Sequence, residues 1–172
     1  KAIRLSDIPL MNHFSPIYRT KMEKTMKFKF TAEQKDFNDK YKLNDSHYWE
    51  CHGKPVLYHS TCERIAVMEG INNLEMEMEE INSEKRLAVI KCTGKLGDRV
   101  EVSYGEASPK NTNSAYFVAM SEKRAKDRVI LKLVDMSGLV YSESDVIKDK
   151  DGKWEFADEV DAFETTTEEE LS

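Results

Sequence analysis

The apolar residues of the chain alternate with polar ones through its middle third and then change to helical spacing. "LEMEMEEI" (74–81) sets leucine and methionine against glutamate at every second position, which predicts a half-buried strand. "RLAVIKCTGKL" (86–96) and "RVEVSYGEA" (99–107) predict two more strands, and the Gly-Asp pair at 97–98 predicts a hairpin turn between them. Together these segments predict a three-stranded antiparallel β-meander.

Helical patterns lie on both sides of the meander. "TAEQKDFNDKY" (31–41) opens with a capping-box pattern, and "YHSTCERIAVMEGI" (58–71) gathers its apolar residues near one face and ends at Gly70, which suits a helix C-terminus. The segment 114–135 predicts a long helix. We therefore expect an α+β fold in which a helix is followed by a three-stranded antiparallel β-meander packed against a long basic helix.

The long helix has a high concentration of positive charge. Five cations lie within ten residues: Lys123, Arg124, Lys126, Arg128 and Lys132. Arg124, Arg128 and Lys132 recur at every fourth position and so form one continuous stripe on a helix. Asp127 lies four residues after Lys123 and is expected to pair with it, which leaves the stripe positive over three turns. Such a stripe is either the solvated face of an amphipathic helix or a surface for a polyanion, with nucleic acid the first candidate.

The net charge of −6 conceals an uneven distribution along the chain. Residues 139–172 hold three Lys against twelve Asp or Glu, whereas residues 1–138 hold 23 basic and 20 acidic residues. The final stretch "DEVDAFETTTEEELS" has the composition of a disordered segment. We therefore expect a basic lead-in segment (1–45), a core domain (46–147) and an acidic, disordered tail (148–172). The tail either solvates the protein, competes with nucleic acid or recruits a basic partner.

The segment "RVEVSYGEASPKNTNSAYFVAMSEKRAKDRVILKLVDMSG" (99–138) resembles the core of phage single-strand annealing proteins of the Erf and Sak type. More distantly, it is similar to the eukaryotic double-strand-break-repair annealing recombinases. The shared pattern is a strand with a glycine near its end, a linker, and a helix rich in Ala, Glu and Lys/Arg that finishes near a glycine. The counterparts here are residues 104–106, 122–127, Lys132 and Gly138. Where the family has two adjacent cations, this chain departs from the pattern and has Lys132 followed by Leu133. The likeness extends over residues 55–140, since the helix of 58–71 resembles the one that precedes the family's β-β-β-α core.

This resemblance implies ATP-independent binding of single-stranded DNA and annealing of complementary strands in homologous recombination, without hydrolytic activity or cofactor. It implies a homo-oligomer, either ring or filament, and names a phage exonuclease or a single-strand-binding protein as candidate partners. It assigns phosphate contacts to Arg124, Arg128 and Lys132, with Lys123 and Lys126 as neighbours. A phage-encoded protein of this kind would act in the host cytoplasm.

Composition agrees with a cytoplasmic location. No apolar run approaches the roughly 20 residues of a membrane span, and the N-terminus has no signal-peptide core. Three widely spaced cysteines do not indicate a disulfide framework. We therefore expect a protein of a reducing compartment that makes no membrane contact.

Other kinds of site have weaker support. The cluster His47, Cys51, His52, His59 and Cys62 lies within sixteen residues, yet it lacks the C-x₂-C spacing of zinc sites, so packing or surface roles are favoured and no metal is predicted. For the neighbouring aromatics, core packing is favoured over base stacking (Tyr48, Trp49, Tyr58).

Two alternative functions stay open. Asp98, Glu106 and Lys110 are the residues that a metal-dependent nuclease would use, although Glu106 and Lys110 are four apart and lack the alternation of strand neighbours. A generic single-strand-binding module without annealing activity is the other hypothesis. Neither a P-loop nor a hydrolase nucleophile elbow is present in the sequence.

Overall fold

The computed structural model describes residues 26–71, 73–112, 115–148 and 151–157. Its helices are α1 (Ala32–Tyr41), α2 (His59–Glu69) and α3 (Phe117–Leu133). Its strands are β1 (Tyr48–Cys51), β2 (Lys54–Leu57), β3 (Glu75–Asn82), β4 (Leu87–Leu96), β5 (Arg99–Ala107), β6 (Tyr141–Ser142), β7 (Val146–Lys148) and β8 (Trp154–Phe156). Short 3₁₀ turns cover Asp45–His47 and Glu143–Asp145. None of the helices in these ranges has the length and apolar character needed to cross a membrane.

The predicted β-meander is present, and it packs against the long helix. β3, β4 and β5 form an antiparallel sheet in that order, with turns at residues 83–86 and 97–98. The α3 helix lies against the face of β4 that presents Ala88, Ile90 and Cys92, all of which are buried. The α+β class and the order helix, meander, long helix are therefore confirmed.

A glycine allows α3 to lie very close to β5. A Cβ atom built on Gly105 would lie 2.0 Å from the carbonyl oxygen of Ser121 and 2.5 Å from the backbone nitrogen of Ala125. The Ser121 hydroxyl donates a hydrogen bond to the Gly105 carbonyl at 2.7 Å. Ser103 and Ala107 are buried on the same face of β5, so small side chains at alternate positions create the surface on which the helix rests.

The opposite face of β5 has larger apolar side chains that remain exposed. Val100, Val102 and Tyr104 are exposed because the register with β4 turns Ser103, Gly105 and Ala107 toward α3 instead. On β3, Met78 is 72% exposed, and the register with β4 shifts between Met78 and Glu80, so the predicted half-buried alternation does not continue to the end of the strand.

A second, smaller group of strands lies beside the meander. β1 and β2 form a hairpin across His52 and Gly53, and β6 adds to β2 in parallel. β7 pairs with β8, and Phe156 of β8 is fully buried with Val56 and Val146. The segment 53–55, predicted as a loop, is therefore mostly strand, and the predicted domain boundary at 147 falls within the β7–β8 hairpin.

The N-terminal part of the described chain belongs to the same core. Thr31 and Gln34 make both reciprocal bonds of a capping box, which confirms the predicted start of α1. Phe28 and Phe30 pack against the main core, although the sequence predicted a lead-in segment there. Most of the basic stretch 19–29 and all of 158–172 lie outside the described residues.

Candidate nucleic-acid interface

The predicted basic stripe of α3 runs along the open edge of β5. Its three cations donate to three backbone carbonyls of that strand: Arg124 Nη1 to Glu106 at 2.6 Å, Arg128 Nη1 to Tyr104 at 2.8 Å, and Lys132 Nζ to Val102 at 2.7 Å. Four residues of a helix advance about 6 Å, and two residues of a strand advance about 6.8 Å. The spacing of the three cations along α3 therefore matches the spacing of the three carbonyls along β5. β5 pairs with β4 on its other side, and no other described strand pairs with it. The cations of the stripe thus donate hydrogen bonds to carbonyls that an edge strand would otherwise expose to solvent.

Arg124 is part of the protein interior. It is 3% exposed, and its guanidinium also donates to the side-chain and main-chain oxygens of Asn111 at 3.0 and 2.8 Å. Burial lowers the pKa of Arg124 to about 10, and the positive charge of Arg128 adds to this effect. In this conformation Arg124 offers almost no surface to a ligand, and its role as a phosphate contact stays a prediction that would require a rearrangement.

Arg128 and Lys132 are the members of the stripe that reach solvent. The Arg128 side chain is 32% exposed, and its Nε lies 4.0 Å from a carboxylate oxygen of Asp145, at the limit of an ion pair. Each cation has more N–H groups than its one carbonyl bond uses. Two surface depressions adjoin them, one of about 240 Å³ beside Arg128 and Tyr141 and one of about 310 Å³ beside Lys132 and Arg99.

Lys123 and Lys126 lie on other sides of the helix. Lys126 pairs with Glu122 at 2.7 Å, and this hydrogen bond raises the pKa of Lys126. Lys123 is exposed. The predicted pairing of Lys123 with Asp127 is wrong, because Asp127 is fully buried and lies 2.7 Å from Nδ1 of His59 on α2. The five predicted cations therefore do not form one surface.

His59 and Asp127 form a buried link between α2 and α3. Burial raises the pKa of the Asp127 carboxyl to about 6, although the bond to His59 opposes that rise. The same hydrogen bond raises the pKa of His59. The neighbouring Cys62 is 0% exposed, and its burial raises its pKa well above the usual range for a thiol, so Cys62 does not have the properties of a nucleophile.

A cavity of about 180 Å³ lies next to this link, between β1, α3, the second 3₁₀ turn and β8. Its lining is two indole rings, two apolar side chains and five polar ones: Trp49, Trp154, Met120, Val146, Lys123, Arg124, Asp127, Glu143 and Ser144. Three buried polar atoms of the lining residues have no hydrogen-bond partner: Trp49 Nε1, Arg124 Nε and Asp127 Oδ2. Buried polar atoms without a partner are rare in folded proteins, and these three are themselves inaccessible to solvent, so they belong to the interior behind the cavity wall.

The two tryptophans form one wall of that cavity. The ring centroids of Trp49 and Trp154 are 5.2 Å apart, and Trp154 is 45% exposed, so the cavity reaches the surface there. Tyr48, by contrast, is buried and donates to Asn38, as the core-packing prediction requires. The acidic composition around Trp154 predicted disorder, so the contribution of its ring to this cavity was not predicted from the sequence. A lone tryptophan in "DGKWEF" (151–156) is the signal that could have revealed it.

The His and Cys residues of 47–62 do not converge. Nε2 of His47 is 2.7 Å from Arg64, and Nε2 of His52 is 2.6 Å from the carbonyl of Trp154. The described residues contain no group of three or more His, Cys, Asp or Glu that could hold a metal ion.

The carboxylates considered for a nuclease are also separated. Asp98 lies in the turn before β5, and Glu106 lies near the far end of that strand. Eight strand residues correspond to roughly 26 Å, which is far beyond the reach of one shared metal. The described structure therefore does not form the proposed nuclease site.

Comparison with known proteins adds no family to this picture. No protein-family model, curated protein or solved structure matches this chain.

Proposed function

We propose that this protein binds single-stranded DNA and anneals complementary strands without nucleotide hydrolysis. The main supporting observation is a β-β-β-α unit in which Arg128 and Lys132 lie one helical turn apart along the open edge of β5. Each of these side chains has further N–H groups beyond the one that bonds a β5 carbonyl. The resemblance of residues 55–140 to phage single-strand annealing proteins supports the same function. On this proposal the strand runs along the α3–β5 edge, and copies of the chain associate as a ring or filament.

The geometry supports different roles for the three cations of the stripe. Arg128 and Lys132 become the leading phosphate contacts, because both are partly exposed and hold their positions through carbonyl bonds on β5. Holding the cations in place before binding lowers the entropic cost of immobilising long side chains. Arg124 becomes a residue that positions the helix against β5, since its donors are used internally.

Strand annealing tests the proposal directly. Two complementary labelled strands should form duplex faster with protein than without it, in the presence of chelator and in the absence of ATP. Binding of the strands without faster annealing would support the generic binding module instead. Loss of strands in magnesium, but not in chelator, would favour a nuclease.

Salt dependence tests the two phosphate contacts. For single strands, log affinity falls against log salt with a slope of about −0.7 per phosphate contacted. Arg128→Gln and Lys132→Gln each remove the charge and leave a shorter polar side chain with an N–H donor, so each should make the slope shallower by about 0.7. Lys95→Gln, at an exposed position near the end of β4, is the matched control and should leave the slope unchanged. Equal slopes in all four proteins would remove the assignment.

A further inference from the structure

We propose that the exposed ring of Tyr104 is a stacking surface for the bases of a single-stranded DNA whose phosphates bind along the α3–β5 edge. The inference rests on the proposed function and adds to it a contact with the bases, which the cations of the stripe do not supply. It depends on where the side chains of β5 point, on the narrow apolar row that they form and on the position of Arg128 beside that row.

The face of β5 that points away from α3 presents a row of exposed apolar side chains. Val100, Val102 and Tyr104 alternate along the strand with residues that face the helix, and Tyr104 is 50% exposed. Two strand residues advance about 6.8 Å, so the row presents apolar surface at that interval. Exposed apolar side chains that adjoin one another indicate a binding surface more strongly than single ones do.

The row is one strand wide, which argues against a second sheet as its occupant. Tyr104 lies beside Lys91 of β4, which lies beside Glu77 of β3, and the last two form an ion pair at 3.1 Å. Val102 lies beside Thr93. Sheets that pack face to face bury apolar side chains of several adjacent strands, and a sheet packed here would also bury the ion pair, at a cost in desolvation. A line of bases needs only the narrow apolar row.

The charges beside the row indicate a polyanion. Arg128 Nη1 donates to the main-chain carbonyl of Tyr104, and Lys132 Nζ donates to that of Val102. A phosphate at the edge and a base over the outer face would therefore contact neighbouring parts of the same β5 residues. Proteins that bind single strands combine such a positive groove with aromatic side chains on which bases stack. The exposed Glu106 ends the row, because its carboxylate would repel phosphate.

Alanine at position 104 tests the stack. Tyr104→Ala removes the ring and leaves the main-chain carbonyl that holds Arg128. It should weaken the binding of strands that carry bases roughly 5- to 150-fold, the effect of losing one base–aromatic stack, and leave the binding of abasic strands of equal length unchanged. Every base has a π-face, so dT and dA strands should both lose affinity. Fluorescence anisotropy with labelled oligonucleotides measures these affinities.

Two control variants and the salt dependence separate stacking from other effects. Tyr104→Phe keeps an aromatic ring and should retain the affinity. Tyr116→Ala removes another exposed tyrosine, about 18 Å from Arg128 along the axis of α3, and should have no effect. In Tyr104→Ala the slope of log affinity against log salt should stay the same because the phosphate contacts remain, whereas Arg128→Gln should make it shallower. Circular dichroism should show that the variants are folded.

The outcomes separate this inference from the proposed function. Equal affinity of the wild type for base-bearing and abasic strands would overturn the stacking surface and leave the annealing function standing, and so would a Tyr104→Ala protein that binds like Tyr116→Ala. Failure of the wild type to bind any strand would refute the proposed function and this inference with it. If Tyr104→Ala lowers the oligomer mass in light scattering and weakens both kinds of strand equally, a second copy of the chain covers the row and the inference is wrong.

Discussion

Replacing Gly105 with alanine should separate the long helix from the sheet. The added Cβ would lie 2.0 Å from the Ser121 carbonyl oxygen, whereas ordinary contacts begin at 3.4 Å, so α3 would have to retreat by about 1.4 Å. Overpacking of a core typically costs about 1–3 kcal/mol. The obstacle here is helix backbone, which cannot rotate aside, and the bond from Ser121 to the Gly105 carbonyl, worth about 1 kcal/mol, would also be strained. We expect a loss of about 3–4 kcal/mol in the free energy of unfolding.

Gly94→Ala is the comparison that isolates this cause. Its Cβ would meet only side-chain atoms, Val129 Cγ1 at 2.5 Å and Leu74 Cδ2 at 2.9 Å, and side chains can adjust their rotamers. Urea unfolding followed by circular dichroism should therefore place Gly105→Ala well below Gly94→Ala in stability. For a domain of this size, 1 kcal/mol corresponds to about 2–4 °C in Tm, so the loss at Gly105 should exceed roughly 6 °C. A Gly105→Ala protein as stable as the wild type, or more stable than Gly94→Ala, would refute the close-approach argument.

Three further changes test other parts of the fold. Phe156→Ala should cost about 3–5 kcal/mol of unfolding free energy, because the ring is fully buried; a loss below 1 kcal/mol in denaturant unfolding would exclude β8 from the core. Thr31→Ala should cost about 1 kcal/mol by removing the capping box of α1, and thermal melts of Thr31→Ser should retain most of that stability. The raised pKa of His59 means that its charged form stabilises the fold below the unfolded pKa of about 6.5, and this contribution is lost as the pH rises through the folded pKa. The stability advantage of the wild type over His59→Asn, measured in urea from pH 6 to 9, should therefore shrink with pH, and a constant difference would contradict the assignment.

Much of the meander could be read from the sequence because its signals are local. The alternation in 74–81 and the Gly-Asp turn at 97–98 depend on near neighbours, and the predicted strand and turn are both present, although Met78 is exposed where a buried position was predicted. The C-terminal end of α2 at Gly70 follows from the left-handed backbone that glycine readily adopts. These features require no knowledge of distant partners.

The partners of the charged residues could not be read in this way. Nothing near Arg124 in sequence indicates that its guanidinium would bond the Glu106 carbonyl, since that carbonyl becomes an edge group only when β5 is the last strand of its sheet. The pairing of Asp127 with His59 joins residues 68 positions apart. The small residues Ser103, Gly105 and Ala107 at alternate positions were the available sign of a closely packed helix.

The hydrogen bonds that Arg124, Arg128 and Lys132 of α3 donate to carbonyls of β5 limit the substitutions that the chain can tolerate at these positions. Position 124 requires a forked donor that reaches three acceptors from a buried position, so lysine cannot replace arginine there. Position 132 uses a single donor, and either lysine or arginine meets that need. A library of variants selected only for folding should therefore keep arginine at 124, accept both cations at 132, and admit glutamine at 128. A second selection for DNA binding should remove the glutamine and leave the requirement at 124 unchanged.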